Sequence, residues 1–232
     1  MNVLITGASR GIGLELVRQY AARGEQVFAA ARNPDGAHEL ERLRKLYQVT
    51  IVPLNVVDDE SIRAAVQVIK GKTESLDLLF NNAAINPETP PYESFGQLQA
   101  EAMLQVLHTN TVAPLLVAQA IMPLLSKGTH PKLINISSEM GSVSGRSYGG
   151  SHSYCMSKAA LNMASRGLAY DLRRQNVVVV ALDPGWVQTD MGGAGASLTP
   201  HESVSGIVRV VDGLTMKDSG KFLDYRGGQH QW

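Results

Sequence analysis

The sequence predicts a doubly wound α/β fold in a single domain, on three observations. Short apolar runs rich in β-branched residues alternate with longer stretches whose apolar residues recur every three or four positions. Runs such as Val177–Val180 show no polar alternation, as expected of strands buried on both faces of a parallel sheet. A glycine-rich segment follows the first run directly and opens the first helical pattern, the place where a strand C-terminus meets a helix N-terminus. At 232 residues the chain has room for one large core and little for a separate substrate-binding unit.

Composition narrows the function classes. The 21 Lys and Arg balance 21 Asp and Glu, which argues against a nucleic-acid binder, since those carry a basic excess. One cysteine, Cys155, rules out an intrachain disulfide and a thiolate-rich metal site, and the six histidines show no pair at ligand spacing. The N-terminal residues lack a secretory pattern, and no apolar run approaches the ~18–20 residues needed to span a bilayer. The expected setting is therefore the cytoplasm, with no membrane partner.

Taken in order, the elements place the candidate site residues at strand ends. A strand over Val3–Thr6 runs into Thr6-Gly7-Ala8-Ser9-Arg10-Gly11-Ile12-Gly13, and Gly11–Arg23 has helical spacing. Glycine permits a tight turn and close backbone approach, and the free N–H groups of a helix N-terminus attract a pyrophosphate, so Gly7, Ser9, Arg10, Gly11, Ile12 and Gly13 are candidate cofactor contacts. The second strand, Gln26–Ala31, ends in Ala30-Ala31-Arg32-Asn33, where NAD-binding folds place a carboxylate for the ribose 2′-hydroxyl. Arg32 stands there instead, with Arg10 nearby in the turn, and a guanidinium fork suits a phosphate; this predicts NADP(H) rather than NAD(H). A helix over Ala37–Tyr47 leads to a strand over Thr50–Leu54, and a helix over Asp59–Lys70 leads to a strand over Leu76–Asn81. Asn55 and Val56 after the third strand, and Asn82 and Ala83 after the fourth, are candidate adenine contacts.

A long helical pattern over Phe95–Leu125 is expected to break near Asn110–Pro114, and the fifth strand, Lys132–Ser137, ends at Ser138. A helix over Ser153–Arg174 carries Tyr154 and Lys158 four residues apart and hence on one face. A strand over Val177–Leu182, a helix over Pro200–Thr215 and a strand over Lys221–Asp224 complete the alternation. Three linker-like stretches, 86–92, 141–150 and 186–200, each begin where a strand ends, so they are expected to be lips of one cleft.

The chemistry expected of these groups is proton transfer. An ammonium beside a phenol, helped by the positive ring of an oxidised nicotinamide, lowers the phenol's pKa toward neutrality. The Ser138 hydroxyl can hydrogen-bond a carbonyl oxygen, and the Asn110 amide can hold a water or join a proton relay. Met140, Trp186, Met191 and the Gly192–Ala196 run are expected to wall a largely apolar pocket, with Tyr148 and His152 as polar contributors and Gly192–Ala196 as a lid that orders on binding. Cys155 points about 100° away from Tyr154 and reads as a core thiol.

Thr-Gly-x-x-x-Gly-x-Gly at 6–13, Asn-Asn-Ala at 81–83, Asn110, Ser138, Tyr-x-x-x-Lys at 154–158 and Pro-Gly at 184–185 together resemble the short-chain dehydrogenase/reductase family over essentially the whole chain. The resemblance implies a seven-stranded parallel Rossmann sheet and hydride transfer between a nicotinamide and an alcohol/carbonyl pair. It implies Tyr154 as general acid/base, Lys158 as the group that lowers its pKa and binds the nicotinamide ribose, Ser138 as carbonyl-orienting residue and Asn110 as the end of the relay. Pro184, Gly185, Val187 and Thr189 would lie along the nicotinamide, and the 111–125 and 153–174 helices resemble those through which members form dimers or tetramers. The segments 138–142, 146–150 and 183–193 are most similar to the C-factor and sniffer-type carbonyl reductase branch, which also implies an alternative, an NADP(H)-binding signalling protein without significant turnover. Ala84 and Asn55 depart from the family's usual glycine and aspartate, and the Ser138–Tyr154 separation is a few residues longer than its common spacing.

Overall fold

A computed structural model describes residues 1–86 and 94–232. Seven strands form a sheet in the order β3-β2-β1-β4-β5-β6-β7, with every neighbouring pair parallel. They are β1 (Asn2–Thr6), β2 (Gln26–Ala31), β3 (Val49–Pro53), β4 (Leu78–Asn81), β5 (Lys132–Ile136), β6 (Val178–Asp183) and β7 (Phe222–Asp224). Chain order reverses between β1 and β4, so the crevice for a ligand opens beyond their C-terminal ends.

The helices are α1 (Gly11–Ala22), α2 (His38–Leu46), α3 (Asp59–Lys70), α4 (Ala100–Leu107), α5 (Ala113–Leu125), α6 (His152–Asp171) and α7 (Pro200–Gly213). Successive residues of a strand point to opposite faces, and the core divides accordingly. Val3 and Ile5 pack with Leu16, Leu40 and Ile207 from α1, α2 and α7, whereas Leu4 packs with Ile62, Val117 and Ala169 from α3, α5 and α6. This is why the strands read as continuous apolar runs. No helix among the described residues is long and apolar enough to cross a membrane.

Most boundaries shift by one to three residues, and the connection from β4 to β5 departs further from expectation. The helix expected from Phe95 begins at Ala100, after a turn in which Gly96 has φ +97. The expected break near Asn110 is a π-helical segment, His108–Val112, that joins α4 to α5. Pro114 has no N–H to offer the carbonyl of Asn110 four residues back, so the α ladder cannot pass this point unaltered. The lip expected at 86–92 falls, from residue 87 onward, outside the described residues.

Candidate active site

The glycine turn is built against the end of β4. Gly7 has φ +64, and a Cβ there would stand 2.8 Å from Ala83 Cα; a Cβ on Gly13 would stand 2.2 Å from the Gly7 carbonyl oxygen. Only glycine lets these backbones approach so closely. Asn82 Nδ2 donates to the carbonyls of Thr6 (2.9 Å) and Gly7 (3.2 Å), and the backbone N–H groups of Asn82 and Ala83 donate to Thr6 Oγ1 at 3.0 and 3.1 Å. Asn82 and Ala83 thus shape the turn. Arg10 is the N-cap of α1 and its side chain makes no capping bond, so the first N–H groups of the helix face the crevice without a side-chain acceptor. That cradle fits a pyrophosphate. Ile12 packs on the core below.

The two arginines do not converge as they stand. Arg10 Nη1 donates to Asp190 Oδ2 at 2.7 Å across the crevice, while Arg32, exposed at the end of β2, has no ion pair among the described residues. At the end of β3, Asn55 N donates to Ser61 Oγ at 2.8 Å and Val56 is half-buried against the core.

Tyr154 and Lys158 occupy the first turns of α6, 8% and 2% exposed. Lys158 Nζ lies 5.6 Å from the Tyr154 ring centroid and donates to Ile136 O at 2.8 Å. Burial pushes the Tyr154 phenol above its ordinary range; a hydrogen bond with the Ser138 side chain opposes this, and the Asp183 charge adds to it. Burial pushes Lys158 down to about 8, with Asp183 opposing. The expected lowering of the phenol is therefore not present in the protein alone: desolvation outweighs the Ser138 contribution.

Asn110, 1% exposed in the π segment, is a clamp. Its Oδ1 accepts from Ile85 N at 2.9 Å, and its Nδ2 donates to Ile85 O at 2.8 Å and Ser157 Oγ at 3.1 Å. Both amide hydrogens are committed, so the side chain fastens the strand-end loop to α6.

The loop over 186–200 is internally bonded. Trp186 and Leu198 and then Leu198 and Gln188 are joined by backbone bonds of 3.1 and 2.8 Å, Trp186 Nε1 donates to Gly192 O at 2.8 Å, and Gln188 Nε2 donates to Ala196 O at 2.9 Å. Gly192–Ala196, expected as an unordered lid, is thus folded into the loop. Thr189 Cγ2 would be 3.1 Å from a Cβ on Gly11, which brings this loop against the glycine turn. Val187 is buried; Pro184 O accepts from Ser203 Oγ at 2.7 Å, and Gly185, φ +75, donates its N–H to Asp183 Oδ1 at 3.1 Å.

A cavity of about 320 Å³ lies beside the Ser138 segment, lined by Glu139, Met140, Ser142, Arg146, Tyr148 and His230 among others. Met140 and Tyr148 are among the lining residues. Trp186 and Met191 do not line it; both are exposed on their loop, because the Trp186 indole is turned to Gly192. His152 is not part of it either, and the lining is polar where an apolar pocket was expected.

Comparison with known proteins agrees with this geometry. The model of the short chain dehydrogenase family matches residues 1–197. The chain belongs to the short-chain dehydrogenase family. It is 41% identical over 160 residues to "C-signal" of Myxococcus xanthus, covering 69% of this chain and 95% of that protein. The crystal structure of an NADPH-bound carbonyl reductase from chicken fatty liver superimposes with a TM-score of 0.93 at 40% identity, covering 100% of this chain and 98% of that one. The carbonyl reductase Sniffer of D. melanogaster gives 0.94 at 36% identity, with 100% and 99% covered. The resemblance to the C-factor and sniffer-type branch is borne out.

In this short-chain dehydrogenase several site residues escaped the sequence reading. Ser157 Oγ links Asn110 to the Tyr154 carbonyl, donating to it at 2.7 Å. Asn81 Nδ2 donates to Asn135 Oδ1 at 2.9 Å and Asn135 Nδ2 to Ser165 Oγ at 2.8 Å, a buried network that ties β4 and β5 to α6 beneath the couple. A polar residue inside an otherwise apolar strand, as in Leu-Ile-Asn-Ile, was the available signal. His230 and Gln231 had none, because they are distant in sequence.

Proposed function

We propose that this oxidoreductase reduces a ketone or aldehyde to an alcohol with NADPH. When bound, the dinucleotide supplies a hydride to the carbonyl carbon; the remaining work belongs to the chain. The turn from Gly7 to Gly13 takes the pyrophosphate on its open N–H groups, and Arg32 takes the 2′-phosphate. The Arg10–Asp190 pair, 77% and 72% exposed, is cheap to exchange for that phosphate. Asn55, Val56, Asn82 and Ala83 border the adenine side, and Pro184, Gly185, Val187 and Thr189 the nicotinamide side.

The observation that carries the reading is the buried pair of Tyr154 and Lys158, with the Lys158 ammonium 5.6 Å from the phenol ring and the Ser138 side chain acting on the same hydroxyl. A phenol held protonated by burial is a proton donor at neutral pH, which suits reduction. Ser138 stabilises the developing alkoxide, and the Lys158 ammonium stabilises the phenolate left after transfer. Asn110 keeps the loop and α6 in register. Met140 and Tyr148 face the substrate, while Trp186 and Met191 would meet it only on movement of the 186–200 loop. The likeness to "C-signal" favours a second reading, a nucleotide-binding signalling protein without significant turnover. NADPH and NADH consumption across a panel of aldehydes and ketones separates these: NADPH-dependent turnover is expected, a tenfold preference for NADH sinks the cofactor assignment, and absence of turnover with NADPH bound supports the second reading.

A further inference from the structure

A buried carboxylate at the same sheet edge connects to a segment far along the chain. Asp183 ends β6 at 5% exposure, and its Oδ2 stands 3.0 Å from His230 Nε2. His230 lies beyond β7; its N–H donates to Phe222 O at 2.9 Å and its ring packs on Phe222 at 4.7 Å between centroids. The two residues after it bridge to the loop that follows Ser138. Gln231 O accepts from Ser142 Oγ at 2.8 Å, and Trp232 O accepts from Ser144 N at 3.0 Å and Ser144 Oγ at 2.8 Å. The Trp232 ring stacks on Phe222 at 5.6 Å, with the Arg166 guanidinium 5.5 Å above it. A continuous set of contacts therefore runs from Asp183, beside the proton couple, to the segment that forms the opposite wall of the cavity.

The cavity itself has a chemical bias. Its lining joins His230 and Gln231 from the segment after β7 to Glu139, Met140 and Tyr148 from the segment after Ser138. The Arg146 guanidinium is already engaged by Cys155 Sγ and by the Gly150 carbonyl. The exposed Glu139 carboxylate has no hydrogen-bond donor among the described residues, and it is the anionic acceptor in the lining.

We propose that Asp183 and His230 are positioning residues that seat the 228–232 segment against 142–146, and that the cavity so walled selects carbonyl substrates whose far end carries a hydrogen-bond donor, received by Glu139. This rests on the carbonyl-reductase reading above and names the substrate class of that site. Removing the imidazole frees the wall and takes the partner from Asp183, whose charge acts on Tyr154 and Lys158, so the readout is a ratio between two substrates, which a change common to both leaves unaltered. A glutamine at 230 can still present a donor to Asp183, whereas leucine cannot.

The test compares wild type, His230→Leu and His230→Gln on two near-isosteric aldehydes, 4-(hydroxymethyl)benzaldehyde and 4-ethylbenzaldehyde. Wild type favours the hydroxymethyl compound in kcat/KM, His230→Leu loses about tenfold of that preference, as expected for one lost hydrogen-bonded contact, and His230→Gln regains it. Equal preference in all three proteins overturns the proposal. Amide hydrogen exchange on the protein without substrate provides an independent readout: Ser144 N–H exchanges faster in His230→Leu and as in wild type in His230→Gln, and unchanged protection in the leucine variant overturns the seating. If wild type turns over neither aldehyde, the carbonyl-reductase reading fails while the exchange result still decides the positioning role. Should His230→Leu not fold, His230→Asn, too short to reach Asp183, replaces it in both arms.

Discussion

At Tyr154, burial and hydrogen bonding act in opposite directions on the same proton. Desolvation holds it on the phenol, the Ser138 hydroxyl eases its release, and Lys158 is positioned to receive the negative charge once the proton has gone. Tyr154→Phe keeps the ring and its packing but removes the donor. Turnover should fall by roughly 10²–10⁴, the usual worth of a positioned general acid, with NADPH affinity nearly intact. Steady-state kinetics with fluorescence titration of NADPH checks both; retained turnover would remove Tyr154 from its role. Arg32 is a second case in which one side chain decides an outcome, since its place at the end of β2 is open to a 2′-phosphate and no carboxylate stands on β2 to repel it.

At the scale of elements, the junction of α4 and α5 is the informative one. Pro114 interrupts the α ladder, the backbone widens into the π segment, and Asn110 is thereby aimed at Ile85 and Ser157 instead of along the helix surface. Asn110→Ala leaves the Ile85 N–H and C=O without these partners in a part-buried site. A loss of roughly 1–3 kcal/mol in denaturant unfolding is expected, together with reduced kcat as the strand-end loop loosens. An unfolding midpoint equal to that of wild type would show the clamp to be dispensable. The positions of the strands were legible beforehand because a doubly wound sheet writes itself as uninterrupted apolar runs. The π segment was not, since a proline and polar residues in a helical pattern signal an interruption without saying whether the helix ends or widens.

For the molecule as a whole, the buried cations set a pH dependence. Lys158 titrates at about 8 in the folded protein against an ordinary 10.5, and burial shifts Lys132 in the same direction. Between those values the unfolded chain binds more protons than the folded one, so stability rises with pH, by up to ~1.4 kcal/mol per pH unit for one proton. Above about 10 the sign reverses, because burial raises Tyr20 and Tyr154 and the folded protein then holds the protons that unfolded tyrosines release. The melting temperature of the protein without cofactor should therefore climb from pH 8 toward 10; a flat or falling curve over that range would contradict the lowering of Lys158 by burial. Met156, Met163 and Tyr170 lie seven residues apart on α6 and are 46%, 73% and 61% exposed, a stripe along one face of the helix. We propose that the protein forms a homodimer or homotetramer across this face, and Met163→Glu should lower the mass seen by light scattering; a wild-type monomer, or an unchanged assembly in the variant, would place the interface elsewhere or remove it.

The sequence by itself determined the sheet, the glycine turn and the pairing of Tyr154 with Lys158, because strand burial, backbone approach and helical spacing are local properties that leave a local pattern. Only the tertiary structure decided that Arg10 meets Asp190, that Asn110 clamps Ile85, that Trp186 turns away from the cavity and that His230 closes it beside Asp183. Each of these joins residues with no shared element and no characteristic spacing. Their meeting depends on which strands lie side by side and how far each loop travels, and these are set by packing the whole chain around one sheet.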